Sequence, residues 1–240
     1  VTGQLQAVRG ATTLQLQARA TVTGTLEELQ IAITGSGRGA TMQSSAVLRP
    51  YAEQPIARFD AQARELDLSA WAAALPRTRL TVDASAQTID SRLTGTLRAE
   101  NAAAGPQDSG RLPLSAISAR YSGSGRDWTL PALELQVSGG GRITGSAALR
   151  GDNGTMDVQL HDIDPARIDS RLRPARVSGT ATLSGNTKAQ QLTARLDGAG
   201  LQLQLAAKHA GDLLTIDSAR LQAGTGSVEF TGFERWASFQ

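Results

Sequence analysis

The side chains that could do chemistry are few and widely separated. His161 and His209 each stand alone in an alternating stretch, and no His-Glu-x-x-His spacing gives either a second metal ligand. Asp157, Asp162 and Asp164 could suggest calcium, but the EF-hand ligand series is missing. Asp164 is better suited to cap a helix, because its carboxylate can accept from free backbone N–H groups. We therefore expect no metal site and no cofactor.

Nucleophilic and phosphate-binding signatures are also missing from the sequence. No Gly-x-Ser-x-Gly elbow occurs, and the absence of cysteine excludes thiolate sites and disulfides. The glycine-rich run 139–145 resembles a phosphate loop, but more alternation comes after it. A phosphate site would need a helix N-terminus at that place. We therefore expect no catalytic residues and no enzymatic activity.

The charge distribution argues against nucleic acid as a partner. The formal net charge is +2, and the 24 basic residues are scattered singly. Nucleic-acid binders usually cluster basic residues and add aromatic platforms, whereas aromatics here make up only 4% of the chain. No apolar run reaches the roughly 18 residues of a membrane span. The alternating pattern continues close to both ends, so we expect an internal segment of a larger protein.

Alternation of apolar and polar residues recurs along the whole chain. In 13–24, for example, apolar residues occupy every second position and Gln, Arg and Thr occupy the others. Successive strand side chains point to opposite faces, so each such stretch predicts a strand with one apolar face. One-sided strands are typical of antiparallel sheets. The sequence therefore predicts an elongated, all-β, mostly antiparallel fold.

Short glycine-rich turns separate the predicted strands. The Asn-Gly pair within 152–154 is the clearest hairpin signal, because Asn-Gly suits turns that match strand twist. The segment 101–113 is the longest stretch without alternation and predicts a flexible insertion.

Two segments, 59–75 and 156–172, interrupt the alternation in the same way. They align with each other without a gap at an offset of 97 residues. In each, an Asp suited to cap a helix precedes a short run that ends at Pro76 or Pro174. We expect short helices at about 67–75 and 164–172. The alignment predicts one continuous segment over 1–240, built from units of about 97 residues, with approximate copies 1–86, 87–183 and an incomplete 184–240.

These segments resemble the recurring unit of the TamB family, the translocation and assembly module subunits of the wider AsmA-like group. The resemblance lies in Leu-Asp-Leu at 66–68, followed by an Ala-rich run and Leu-Pro, and in Ile-Asp-Pro at 163–165. It implies a β-sheet curled into a U-shaped trough, the β-taco, in a periplasmic protein anchored in the inner membrane of a Gram-negative bacterium. It also implies a TamA-like outer-membrane barrel as partner, reached through other regions, and roles in phospholipid transport and outer-membrane protein assembly.

An apolar inner wall would shelter lipid without any catalytic residue, because each buried CH₂ contributes roughly 0.8 kcal/mol. Unfolded outer-membrane strands could instead pair with open sheet edges. Two alternative interpretations are a β-sandwich whose apolar face is an ordinary core and a structural or adhesive surface β-solenoid. The residues predicted to line a lipid groove are Leu14, Leu16, Ile31, Ile33, Val82, Leu135, Val137, Val158, Leu203 and Leu205.

Overall fold

The computed structural model describes residues 17–198 and 200–235, and almost all of its regular structure is β-strand. The strands are β1 (Gln17–Gly24), β2 (Leu29–Gly37), β3 (Ala40–Leu48), β4 (Ile56–Leu66), β5 (Leu80–Ile89), β6 (Arg92–Asn101), β7 (Leu114–Ser124), β8 (Asp127–Val137), β9 (Arg142–Arg150), β10 (Asn153–Ile163), β11 (Val177–Gly185), β12 (Ala189–Gly198), β13 (Leu201–Ala210), β14 (Leu213–Ala223) and β15 (Gly226–Arg235). The helical pieces among the described residues are two 3₁₀ turns, Leu68–Ala70 and Gln107–Ser109, and one α-helical turn, α1 (Pro165–Ile168).

The chain divides into two compact units at the boundary between Ser124 and Gly125. The first unit contains β1 to β7, and each of its strands pairs antiparallel with the next one in the chain. The second unit contains β8 to β15, again in chain order and antiparallel. The predicted all-β, antiparallel fold class is therefore confirmed.

Pairing register keeps the apolar residues of neighbouring strands on one face. A one-residue slip would send every side chain to the opposite face, so the alternation specifies the register strongly. In the first unit, one apolar row crosses the strands through Val22, Ile31, Ala46, Phe59, Ala86, Gly95 and Tyr121. The adjacent row, on the other face, contains Thr21, Ala32, Ser45, Asp60, Ser85, Thr96 and Arg120.

The buried core of the described residues is thin and made mostly of small side chains. Five of its eight hydrophobic members are alanine, and among the described residues no large side chain is fully buried. Large apolar side chains usually supply most core stabilisation, since burying one contributes about 1.5–3 kcal/mol. The buried hydrophobic residues are Ala40, Leu80, Ala86, Ala99, Val137, Ile163, Ala207 and Ala219.

The hairpin predicted at 152–154 is present, but its turn lies two residues earlier. Gly151 and Asp152 form the turn, and Gly151 has a positive φ of 60°. Asn153 already pairs with Arg150, and Gly154 pairs with Leu149. The Asn-Gly signal therefore located the hairpin correctly, while the neighbouring Gly-Asp supplied the turn itself.

The helices expected at about 67–75 and 164–172 are shorter than predicted. The first is a single 3₁₀ turn and the second a single α-helical turn, and each is followed by one further turn, closed by Leu75 N–H to Ala72 and by Leu172 N–H to Asp169. Isolated helices of this length do not propagate without packing, and Trp71 remains 51% exposed. Longer helices are therefore not formed at these two places.

The loop predicted as a flexible insertion is held by specific hydrogen bonds. Asn101, which is 6% exposed, accepts from Arg79 N–H at 3.0 Å and donates to the Leu114 carbonyl at 3.1 Å. The Arg77 N–H donates to the Gly110 carbonyl at 2.8 Å. These bonds fix the loop against the residues that lead into β5, so the lack of alternation marked an ordered connection.

Candidate functional site: an apolar sheet face in each unit

The apolar face of the first unit carries three of the predicted groove residues. Ile31, Ile33 and Val82 lie on this face by register, and all three remain partly exposed. Direct neighbours across the strands are small, including Ala46 beside Ile31 and Ala63 beside Val82. This face is therefore a shallow apolar surface, and each side chain keeps a part of its area open.

The apolar face of the second unit carries the remaining described groove residues. Four of them are partly exposed: Leu135, Val158, Leu203 and Leu205. Val137 is buried, with 3% of its surface exposed. Their partners across the strands are the apolar or glycine residues Ile143, Gly145, Ala181, Leu196 and Ala194. Leu14 and Leu16, also predicted to line the groove, lie outside the described residues.

The backbone leaves these faces without polar partners for a ligand. Within each unit, the N–H and C=O groups of inner strands are used in ladders with both neighbouring strands. Among the described residues, no buried side-chain N or O atom lacks a hydrogen-bond partner. A hydrocarbon chain has no hydrogen bonds to give up on such a surface, whereas a peptide laid across it would leave its own amides unpaired.

A concavity of about 420 Å³ lies on the apolar face of the second unit, near the turns that join β9 to β10 and β11 to β12. It exists because Gly154 on β10 and Gly185 on β11 face each other directly and contribute no side chains. Leu149 precedes them in the same cross-strand row and Gln190 comes after them. We call this concavity the glycine notch; its other apolar lining includes Trp128, Leu130, Ala147, Met156 and Leu183.

The rim of the glycine notch is electrically balanced. Asp152 forms an ion pair with Arg126, so its carboxylate is compensated beside the opening. Asn186 donates its side-chain amide to Asn153 at 3.4 Å, and Gln190 donates to the Asn186 carbonyl at 3.3 Å. These polar groups at the opening therefore bond to one another, and most of the lining surface inside the notch is apolar.

The glycine notch was not among the sites predicted from the sequence. The predicted groove positions did not include Met156 or Leu183, although both stand in alternating stretches of the sequence. The decisive feature is that Gly154 and Gly185 are direct cross-strand partners, which depends on register. A glycine in a strand can mark either a close approach of another group or an open space. The two glycines alone therefore do not predict the notch.

Both units contain the same hydrogen-bonded loop, and the two copies lie at the offset of 97 residues found in the sequence. Asp67 Oδ1 accepts from the N–H groups of Ser69 and Thr78, both at 3.1 Å. Asp164 Oδ1 accepts from the N–H groups of Ala166 and Ala175, also at 3.1 Å. These bonds hold the connections from β4 to β5 and from β10 to β11.

Backbone irregularities next to these loops also correspond. The β4–β5 register shifts between Ala63 and Leu66, and the β10–β11 register shifts between Leu160 and Ile163. Within the two shifts, Glu65 has φ 55° and Asp162 has φ 50°. A bulge bends the strand and changes the direction of the next residues, so β4 and β10 enter their loops in the same manner.

Two carboxylates in these loops have lowered pKa values. The Thr78 N–H bond to Asp67, followed by bonds from Ser69, holds the pKa of Asp67 below its ordinary value. Hydrogen bonds from the Arg171 side chain and backbone lower the pKa of Asp169 to about 2. Both stabilise loop ends, since each ionised carboxylate accepts from backbone N–H groups.

The isolated histidines lie on opposite kinds of face. His161 pairs with Arg142 in a polar row, and His209 pairs with Gln190 and Leu214 in the row that contains the two notch glycines. Across 17–198 and 200–235, no three His, Asp or Glu side chains are placed to hold a metal ion. Within the same ranges, no helix is long and apolar enough to cross a membrane.

The fold and the apolar faces define an antiparallel all-β protein with one long-strand meander in each unit. Comparison of the chain with protein-family models, curated proteins and solved structures finds no match.

Proposed function

We propose that this chain is a periplasmic segment of a TamB-like, AsmA-like bridge protein that shelters phospholipid acyl chains between the inner and outer membranes. In this proposal the apolar faces form the inner wall of a β-taco trough, and the 97-residue correspondence reflects repeated building units. The inner-membrane anchor and the contact with a TamA-like outer-membrane barrel would belong to other parts of the protein. No catalytic residue or cofactor is required.

The observation that carries the proposal is the partial exposure of aligned apolar rows. Ile31, Ile33, Val158, Leu203 and Leu205 share faces with other apolar residues and are still not buried. In a β-sandwich these positions would be covered by a second sheet at about 10 Å. Contiguous apolar area left open to solvent usually marks a binding surface.

The chemistry of the faces favours an acyl chain over a polypeptide. Contact with methylene groups needs only area, and a row of similar residues gives a chain many equivalent positions. A polypeptide would bind through the unpaired backbone N–H and C=O groups of a sheet edge, and inner strands have these groups already paired. We therefore assign support for outer-membrane protein assembly to the sheet edges and not to these faces. It is a second role of the same protein.

Antiparallel pairing within both units supports this function over the structural or adhesive alternative. A surface β-solenoid of the passenger type would pair its strands in parallel and close them into a coil. The described strands instead succeed one another as meanders, with hairpin turns such as Gly151–Asp152.

Site-specific photocrosslinking tests the proposal directly. A benzophenone amino acid is placed at Leu135 on the apolar face of β8, and the matched control carries it at the adjacent Gln136 on the polar face. After irradiation in cells, the Leu135 variant should give lipid adducts by mass spectrometry, and the Gln136 variant should give few. Peptide adducts alone at Leu135 would contradict lipid shelter and favour the assembly role.

A further inference from the structure

We propose that the glycine notch is a discrete seat for the methyl end of a single acyl chain. This inference rests on the proposed function and goes beyond it. The apolar faces would let a chain slide among equivalent positions, whereas the notch would hold a chain end at one defined place in the second unit.

The notch interrupts an otherwise filled row of side chains. Across β8 to β13 the row contains Trp128, Leu149, Gly154, Gly185, Gln190 and His209. Neighbouring strands are about 4.8 Å apart, so two adjacent glycines open a gap between β9 and β12 that spans about three strand spacings. The next row, with Ala147, Met156 and Leu183, lines the gap with apolar atoms.

Only one of the two glycines is required by the backbone. Gly185 has φ 136°, and an added Cβ would collide with the Ala189 carbonyl oxygen. Gly154 has no such constraint, because an added Cβ would find its nearest neighbour, the Ala148 carbonyl oxygen, at 3.8 Å. A β-branched residue suits a strand better than glycine does, so the fold itself gives no reason for the space at Gly154.

The chemistry of the notch selects an uncharged hydrocarbon end. Trp128 lines one side of the notch, and its indole N–H donates to the Gly125 carbonyl at 3.1 Å. The one acidic lining residue, Asp152, is paired with Arg126. A headgroup phosphate would lose its hydration here, because the described lining is mostly apolar and contains no basic side chain.

Trp128 provides the readout. In a Trp71→Phe, Trp236→Phe variant of the whole chain, Trp128 is the remaining tryptophan. Two probes are compared, 16-bromohexadecanoate with bromine at the chain end and 2-bromohexadecanoate with bromine beside the carboxylate. We expect saturable quenching of Trp128 by both, with the end-labelled probe quenching several-fold more strongly. Equal quenching, or stronger quenching by 2-bromohexadecanoate, would overturn the assignment of the chain end to the notch.

Filling the notch should separate binding from folding. Gly154→Val places a side chain in the space without backbone strain, and we expect the end-labelled probe to bind at least roughly tenfold more weakly, as the loss of a few buried methylene contacts predicts. The matched control is Gly35→Val on the apolar face of the first unit, where an added Cβ also meets nothing closer than 3.5 Å. The control should quench like the parent variant. Unchanged quenching in Gly154→Val, with its unfolding midpoint intact, would overturn the proposal.

Equilibrium dialysis with radiolabelled palmitate distinguishes failure of the notch from failure of the proposed function. Saturable palmitate binding without Trp128 quenching would remove the notch as a seat and leave the proposed function standing. No palmitate binding at all would remove both. Palmitate binding that Gly154→Val weakens together with the quenching is the expected result.

Discussion

Asp67 in the first unit and Asp164 in the second hold equivalent loops, yet the loops are fastened to different degrees. Each Oδ1 accepts two backbone N–H groups at the same sequence offsets. Asp67 also accepts from the Ser69 hydroxyl at 2.9 Å, whereas the corresponding residue in the second unit is alanine. The carboxylate is therefore the shared element, and the hydroxyl contacts belong to the first unit alone.

Thr78 makes the larger part of this difference. It is 5% exposed, its Oγ1 accepts from Leu68 N–H at 2.9 Å, and the same hydroxyl donates to the Leu66 carbonyl at 3.0 Å. The second unit has Ala175 in its place and Pro165 where Leu68 stands, so both the hydroxyl and the N–H donor are missing. The same loop geometry can thus be built around an Asp carboxylate in each unit. The residues beside that carboxylate adjust the stability of each loop.

Removing the carboxylate should have the largest effect and should differ between the units. Asp67→Ala is expected to cost about 3 kcal/mol, because a cap is lost and the N–H of buried Thr78 is left unpaired. Asp164→Ala should cost only about 1 kcal/mol, since half-buried Ala175 can turn its N–H to water. Urea unfolding, with hydrogen exchange of each unit followed by mass spectrometry, measures both. Equal losses would contradict the comparison.

Exchanging the threonine and the alanine tests the hydroxyl contribution. Thr78→Ala should cost about 2 kcal/mol, because the half-buried Leu68 N–H and Leu66 carbonyl lose their partner. Ala175→Thr should gain at most about 0.5 kcal/mol, since Pro165 offers no N–H to the new hydroxyl. The same unfolding measurement serves, and a gain at 175 as large as the loss at 78 would show that the proline is irrelevant.

Acid should remove the stabilisation that the ionised Asp67 carboxylate gives to its loop. The folded-state pKa of Asp67 lies below its ordinary value of 3.8, so its contribution is complete above about that pH and is lost as the pH falls through the folded pKa. The stability difference between the parent protein and Asp67→Asn should therefore shrink between pH 5 and 2, roughly the range over which such a carboxylate protonates. A difference that grows on acidification would contradict this assignment.

The smallest expected effect is that of the first-turn hydroxyl. Ser69→Ala should cost about 0.5 kcal/mol, because Ser69 keeps its backbone bond to Asp67 and loses only the hydroxyl bond. Ala166→Ser should stabilise the second unit by a similar or smaller amount. Thermal unfolding midpoints provide the measurement, with shifts of opposite sign expected for the two variants.

Sequence alone specified the strands and their faces because period-two alternation acts locally and repeats. The offset of 97 residues also located the two Asp loops, since Asp67 and Asp164 stand at matching positions. The lengths of the helical turns could not be predicted from a capping Asp and the proline that ends each run. Helix length depends on a packing surface, and the structure provides none for Trp71.

The glycine notch could not be predicted from the sequence for a similar reason. Whether Gly154 opens a space depends on the residue opposite it, and only the register identifies Gly185 as that residue. Burial was similarly unpredictable. Val137 and Leu135 belong to one alternating set, but Val137 is buried at the strand end while Leu135 stays partly exposed.

Single-cysteine labelling tests most directly whether the apolar faces are open to solution. The chain has no cysteine, so Leu203→Cys on the apolar face, Gln204→Cys on the polar face and Val137→Cys at a buried position give clean reporters. An uncharged maleimide should label 203 within a few-fold of the rate at 204 and label 137 far more slowly, and added phospholipid should protect 203 alone. Labelling at 203 as slow as at 137 without lipid would show a closed core and contradict lipid shelter on an open face.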